Sequence, residues 1–220
     1  MQRLVLFAKR PRLGHVKTRL VPALTAEQAL ELYRAFLTDQ LALLDAFGSR
    51  CDLELCLDED WAPDPGTAGG SVRRTEQGEG DLGARMLRCL ERATDEGAGR
   101  VVIVATDSPT LPRTHVEQAF DALAGSATLV VAPAFDGGYV LIGLRHPVAA
   151  LFCDMPWGGP RILSLTVERA REAGVETLLL EPWYDVDDIE GLRRLRDDLR
   201  DPAVASRAPA TAGALARIDG

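Results

Sequence analysis

Histidine and cysteine are scarce: 220 residues hold three histidines and four cysteines. His15, His115 and His146 are isolated, and no Ser/His/Asp triad is legible. Cys51, Cys56, Cys89 and Cys153 form no CxxC pair and no Cys/His set with zinc spacing. Cys51 and Cys56 would face opposite sides of one strand, which disfavours a local disulfide and leaves reduced, structural thiols as the expectation. Neither a GxGxxG fingerprint nor a Walker phosphate loop occurs, so nicotinamide chemistry is disfavoured. No apolar run approaches the ~20 residues of a membrane span. The N-terminus, MQRLVLFAKRPR, lacks the long apolar core of a signal peptide, so a cytoplasmic protein is expected. Basic residues are in deficit, 25 against 33 acidic, and the net charge of −8 argues against a partner that is nucleic acid or an anionic membrane.

What is present is enough apolar chain, 46% hydrophobic, for one α/β domain. Residues 101–112 read VVIVATDSPTLP. A short apolar run bounded by turn residues is a strand buried on both faces. Ligands of open parallel sheets bind just past the carboxyl ends of such strands, where Asp107 stands. Asp107 is equally good capping chemistry for a following helix.

An apolar run at 3–8 predicts a first strand. The loop after it carries Lys9, Gly14, Lys17 and Arg19, placed to meet phosphate or nucleotide. Thr25 and Gln28 have capping-box spacing, and Leu30, Tyr33, Leu37, Leu41 and Leu44 mark one buried helix face to about residue 46. Strands are expected at 51–57 and 72–75, with a surface loop at 58–70. Gln77 and its following glycines either line a nucleotide pocket or lead to a helix capped by Asp81, with Leu82, Met86, Leu87, Leu90 and Ala93 buried. After a helix at 113–124 and a strand at 128–132, Asp136-Gly137-Gly138 reads as a hairpin turn or as backbone against a sugar or pyrophosphate. Trp157 either stacks on a sugar or fills the core. A helix at 161–173 and a strand at 175–180 follow. Asp185, Asp187 and Asp188 then precede a helix at 189–199, as acids favoured at a helix start or as carboxylates joining Asp107 in a metal site. Residues 201–220, rich in Ala, Pro and Arg, predict a weakly ordered tail beyond a single domain at 1–200.

Alternating strands and helices give an α/β fold, a mainly parallel sheet with a mixed portion. Carboxylates with Lys and Arg suit a hard cation, Mg²⁺ or Mn²⁺, shared with a diphosphate.

The segments FAKRPRLGHVKTRL, QGEGDLGARM, ATDSPTLP, APAFDGGYVLIGL and YDVDDIEGL resemble, in this order, the small bacterial GT-A-type transferases of the radical-SAM/selenodomain-associated group. The same layout is similar to phospholactate guanylyltransferase and the molybdenum-cofactor nucleotidyltransferases. The resemblance implies a three-layer α/β/α nucleotide-diphospho-sugar transferase fold. It places Lys9, Lys17 and Arg19 at nucleotide phosphates, Asp107 and Asp187 on the metal, and Asp136, Gly137 and Gly138 at the acceptor. The chain departs from that family at Ala105, usually Gly, and at Trp157-Gly158-Gly159, where W-S-T is usual. The expectation is metal-dependent glycosyl transfer from a nucleotide-diphosphate sugar to a small acceptor, with Asp136 as base. Nucleotidyl transfer to a phosphorylated small molecule is the alternative, and a non-catalytic nucleotide-binding protein is the reading from another class.

Overall fold

Among the described residues seven strands form one sheet, and the helices between them cover both its faces. The computed structural model describes residues 1–21, 23–61 and 72–220, so most of the loop expected at 58–70 lies outside the described residues. The strands are β1 (Gln2–Ala8), β2 (Asp52–Leu57), β3 (Arg73–Glu76), β4 (Arg100–Ala105), β5 (Leu129–Pro133), β6 (Tyr139–Leu144) and β7 (Thr177–Leu179). Their spatial order is β3-β2-β1-β4-β6-β5-β7. Among the described residues only β6 runs against its neighbours, β4 and β5. That is the mixed portion, and the turn at 134–138 makes β5 and β6 a hairpin.

Side-chain alternation splits the core in two. Leu4, Leu6 and Ala8 of β1 face α1 (Ala26–Asp45) and α3 (Arg113–Ala124), while Val5 and Phe7 face α2 (Leu82–Asp95). α4 (Ile162–Glu172) joins the second layer through Ala170. β1 and β4 are thus covered on both faces, which is why their apolar runs are continuous.

The capping box forms: Thr25 Oγ1 accepts from Gln28 N at 3.2 Å, and Gln28 Oε1 accepts from Thr25 N at 2.9 Å. More of α1 is buried than one stripe. Leu32, Ala35 and Phe36 pack away from the sheet, against Tyr184, Leu192 and Leu215. Leu30 is only half-buried. On α2, Leu82 is 45% exposed, contrary to the expected face, because it is the first helical residue; Cys89 is fully buried instead.

The weakly ordered tail expected at 201–220 is not what the structure has. It carries α6 (Pro202–Ala205) and α7 (Pro209–Asp219). Asp39 of α1, only 3% exposed, accepts from Ala210 N at 3.0 Å and Thr211 N at 2.8 Å. A side chain from 171 residues away thus supplies the cap that α7 lacks locally. Ala214 and Leu215 are buried behind it.

Beneath β1–β3, a buried charge network ties the sheet to α2. Glu54 accepts from Arg3, Arg92 and Thr75 while Cys56 and Cys89 pack beside it. At its rim Arg73 and Arg3 hold the Glu96 carboxyl down at about 2. A depressed carboxyl contributes stability that is complete above the ordinary value, near 4.3, and is lost as pH falls through about 2. Glu96→Gln is therefore expected to lower the unfolding midpoint at pH 7. It should also flatten the wild type's decline between roughly pH 5 and pH 2. Urea melts across that range check it; parallel curves for the two proteins would contradict it.

Candidate active site

The strand order reverses between β1 and β4, and the crevice at their carboxyl ends is where an α/β sheet binds ligands. Two loops enter it, one after each strand. Thr106 Oγ1 donates to Phe7 O at 2.9 Å, locking the end of β4 to the end of β1. Gln40 Nε2 donates to Ser108 O at 2.5 Å, and Thr110 Oγ1 donates to the Tyr184 hydroxyl at 2.9 Å. The 106–110 turn is pinned on both sides, and Asp107 is presented from it.

The acidic segment at 185–188 reaches the same place by backbone pairing. Val186 N donates to Asp107 O at 2.9 Å. Asp188 caps α5 (Ile189–Asp198), accepting from Gly191 N at 2.9 Å. Of the two sequence readings, capping belongs to Asp188; Asp185 and Asp187 face the cleft.

Lys17 joins the two loops. Its ammonium lies 2.6 Å from Asp107 Oδ1 and 2.7 Å from Asp187 Oδ1, with the side chain 3% exposed. Burial works against this charge, but the two carboxylates outweigh it and raise the lysine above its usual value. Asp107 is pushed up by desolvation and by Asp187, with Lys17 opposing. Asp187 is also desolvated, but Lys17 brings it below the usual range. Asp185 is raised to about 6 by desolvation, then by Asp136 and Asp187.

Asp107, Asp136, Asp185 and Asp187 therefore share one field, though they lie up to 80 positions apart. The cleft beside them holds about 770 Å³, with Arg19, Phe135, Asp136, Tyr184, Asp185 and Asp187 among the residues lining it. The cleft lining carries seven carboxylates against three arginines, Arg19, Arg193 and Arg194, an excess of negative charge that a divalent cation would meet. Carboxylate oxygens are also the hard donors that Mg²⁺ and Mn²⁺ take. The residues fit the metal that the sequence led us to expect.

Asp136 is fixed by its own turn. Its Oδ1 accepts from Gly138 N at 2.8 Å, and Gly137 sits at φ 91°. Leu163 N donates to Gly137 O at 2.8 Å, and a Cβ on Gly137 would collide with Pro160 O. Gly137 holds the turn against the start of α4.

The remaining expected site residues are not among those lining the cleft. Lys9 has its backbone N and O on the Tyr33 hydroxyl, at 2.8 and 2.9 Å, and its side chain is exposed. Gly14 has φ 74°. Gln77 is buried and its amide donates to Ala8 O and Cys56 O at 3.2 and 3.1 Å, joining β1 to β2. Asp81 caps α2, accepting from Ala84 N at 2.8 Å. Trp157 takes the core alternative: it packs edge-on against Tyr139 and over Gly83, in the apolar layer behind the sheet rather than in the cleft.

Sequence reasoning passed over Phe135, Tyr184 and Arg194. The Arg194 guanidinium stands 4.3 Å from the Phe135 ring and 5.1 Å from the Tyr184 ring, so Phe135, 56% exposed, is braced at the cleft. An exposed aromatic beside Asp136 was the available signal.

Residues 44–159 match the family model described as an uncharacterized protein conserved in bacteria, DUF2064. The chain belongs to that family. It is also 29% identical over 185 residues to the 2-phospho-L-lactate guanylyltransferase of Methanothermobacter thermautotrophicus, covering 82% of this chain and 78% of that one. A solved structure from Desulfovibrio desulfuricans G20, a candidate nucleotide-diphospho-sugar transferase, shares 33% identity. It superposes with a TM-score of 0.88 over 99% of this chain and 95% of its own. At 11% identity and a TM-score of 0.53, the Mycobacterium tuberculosis glucosyl-3-phosphoglycerate synthase, solved with Mn²⁺, UDP-glucose and phosphoglyceric acid, shares the fold. That match covers 95% of this chain and 80% of the other. The DUF2064 chain thus has the GT-A-type fold of nucleotidyl and nucleotide-sugar transferases, and it is a transferase. Among the described residues, no helix is long and apolar enough to cross a membrane.

Proposed function

We propose that the protein is a metal-dependent nucleotidyltransferase, moving a nucleoside monophosphate from a nucleoside triphosphate to a small acceptor. The observation that carries this reading is the Lys17 bridge: one carboxylate from the β4 loop, where Asp107 stands without a D-x-D partner, and one from the 185–188 segment. Similarity to a guanylyltransferase along most of the chain supports it. The same run of motifs supports a place beside the radical-SAM/selenodomain-associated transferases.

Asp107 and Asp187 would hold Mg²⁺ or Mn²⁺, with Asp185 beside them. The ion would supply charge neutralisation on the phosphates and on the leaving pyrophosphate. Arg19, with Lys9 and Gly14 on the same loop, orients the triphosphate. The acceptor occupies the cleft between Asp136 and α5, with Phe135 as its apolar wall. An acceptor oxygen attacks the α-phosphorus, the bond to the β-phosphate oxygen breaks, and pyrophosphate leaves. An acceptor phosphate attacks already ionised; an acceptor hydroxyl would pass its proton to Asp136.

Glycosyl transfer is the second reading, favoured by the 33% identical nucleotide-diphospho-sugar transferase candidate. The two release different products. Thermal shifts with triphosphates, diphosphates and nucleotide sugars, each with Mg²⁺, Mn²⁺ or chelator, choose the donor. A ligand at 100 times its Kd stabilises by ~2.7 kcal/mol, which is easily read. Small phosphorylated acids and alcohols are then added as acceptors. Metal-dependent pyrophosphate release is expected. Nucleoside diphosphate release from a sugar donor would shift the assignment to glycosyl transfer, and binding without turnover would leave a nucleotide-binding protein.

A further inference from the structure

A buried ammonium needs partners, and Lys17 has two on separate loops, with the Phe36 ring 5.5 Å from its Nζ. Its backbone sits at φ 51°, ψ 35°, a left-handed conformation that residues with a Cβ rarely adopt. Local strain is thus accepted at the position that aims this side chain between Asp107 and Asp187.

The consequence is competition. A Mg²⁺ coordinated by both acids needs their oxygens at ~2.0–2.1 Å. An ammonium within 2.7 Å of one oxygen of each acid occupies that space and repels a dication. Nucleotide phosphates are a strong alternative partner for the same ammonium. They would approach from the loop that carries Lys17 itself.

We propose that Lys17 is the resident counter-cation of the Asp107–Asp187 pair. A divalent metal gains the pair only as nucleotide phosphates draw the ammonium away. Metal and nucleotide binding are then cooperative through Lys17, beyond direct metal–phosphate contact. This rests on the reading of these acids as metal-holding. By linkage, each ligand raises the affinity of the other by the same factor.

Free Mn²⁺ can be followed by electron paramagnetic resonance as it is titrated into the full-length protein. The proteins compared are wild type, Lys17→Met, Lys17→Gln and Arg193→Gln, each with and without inorganic pyrophosphate. Manganese pyrophosphate formed in solution is common to all four and cancels in the comparison. With Mn²⁺ alone, both Lys17 variants are expected to bind about tenfold more tightly than wild type, within the usual range of coupling. In wild type, pyrophosphate should raise protein-bound Mn²⁺ affinity by a similar factor, and this gain should shrink in the Lys17 variants. Arg193→Gln removes a like charge from the cleft wall and should change Mn²⁺ affinity much less. Lys17 variants that bind Mn²⁺ no better than wild type would overturn the proposal. So would an equal gain in Arg193→Gln, which would reduce the effect to general field. Should circular dichroism show both Lys17 variants unfolded, the wild type still tests the proposal: a Mn²⁺ affinity that pyrophosphate leaves unchanged overturns it. Absence of Mn²⁺ binding under every condition would instead remove the metal-site reading beneath it.

Discussion

Asp107→Asn is expected to lower kcat by a factor on the order of 10²–10³ while leaving the fold intact, the scale seen when one preorganised electrostatic group is removed from an active site. The substitution is nearly isosteric. Its amide oxygen still accepts from the Lys17 ammonium, and Asp107 O still receives Val186 N. What is lost is one anionic metal donor at the carboxyl end of β4. The wild-type carboxylate is held near Asp187, which pushes Asp107 up after desolvation has done so. Removing a desolvated charge, and with it the repulsion from Asp187, offsets the weaker partner for Lys17, so the thermal midpoint should stay at or above the wild-type value. Kinetics with the donor chosen by thermal shift and a melting curve on the same sample check both halves. Near wild-type turnover would mean that Asp107 holds no catalytic metal. Lost turnover with a melting point many degrees lower would mean that the carboxylate is chiefly structural.

That combination, weak chemistry with retained stability, is what a site at a topological switch point should show. Its position was legible because it depends on local signals: an apolar run, a turn, a proline. Asp107, Asp136, Asp185 and Asp187 could each be named in that way. Their convergence stood only as one of two alternatives and as an implication of the resemblance, because it depends on strand order, and a sequence does not state that β6 inserts between β4 and β5. Lys17 shows the same limit. As a basic residue in a basic loop it reads as a solvated phosphate contact; its burial between two acids follows from a left-handed backbone and from a segment 170 positions away. Composition misled at 201–220 for a related reason. Alanine, proline and arginine describe a segment without a core of its own, and α7 borrows both its cap and its core from α1. Trp157 and Gln77 each had a bland alternative, and each is used for packing or strand ties. The glycines that matter most, Gly137 and Gly191, answer contacts made by backbone outside their own turns.

Gly191→Ala tests how much of the site is held by such a contact. Gly191 lies in the first turn of α5, where alanine is the better helix former by ~1 kcal/mol. Judged locally, the change should stabilise the protein. In the structure a Cβ at this position would come 2.6 Å from Asp185 O and 3.0 Å from Val186 Cα, both backbone atoms that no rotamer can clear. Either α5 lifts away or the 185–187 segment shifts. A lifted helix loosens Leu192 and Leu195 from the cluster they share with Leu20 and Phe36. A shifted segment strains the Val186 N to Asp107 O bond and moves Asp187 off Lys17. Overpacking of this kind costs ~1–3 kcal/mol, which exceeds the propensity gain. The expected outcome is a lower urea midpoint with an unchanged slope, together with a fall in kcat of at least tenfold, since a displacement near 1 Å in a catalytic constellation is enough for that. Lys17 should also lose part of its protection, making Mn²⁺ binding in the absence of nucleotide tighter or weaker according to which carboxylate moves. A stabilised Gly191→Ala protein with full activity would show that α5 and the acidic segment are not in contact as described, and that Asp185 and Asp187 owe their placement to something other than this glycine.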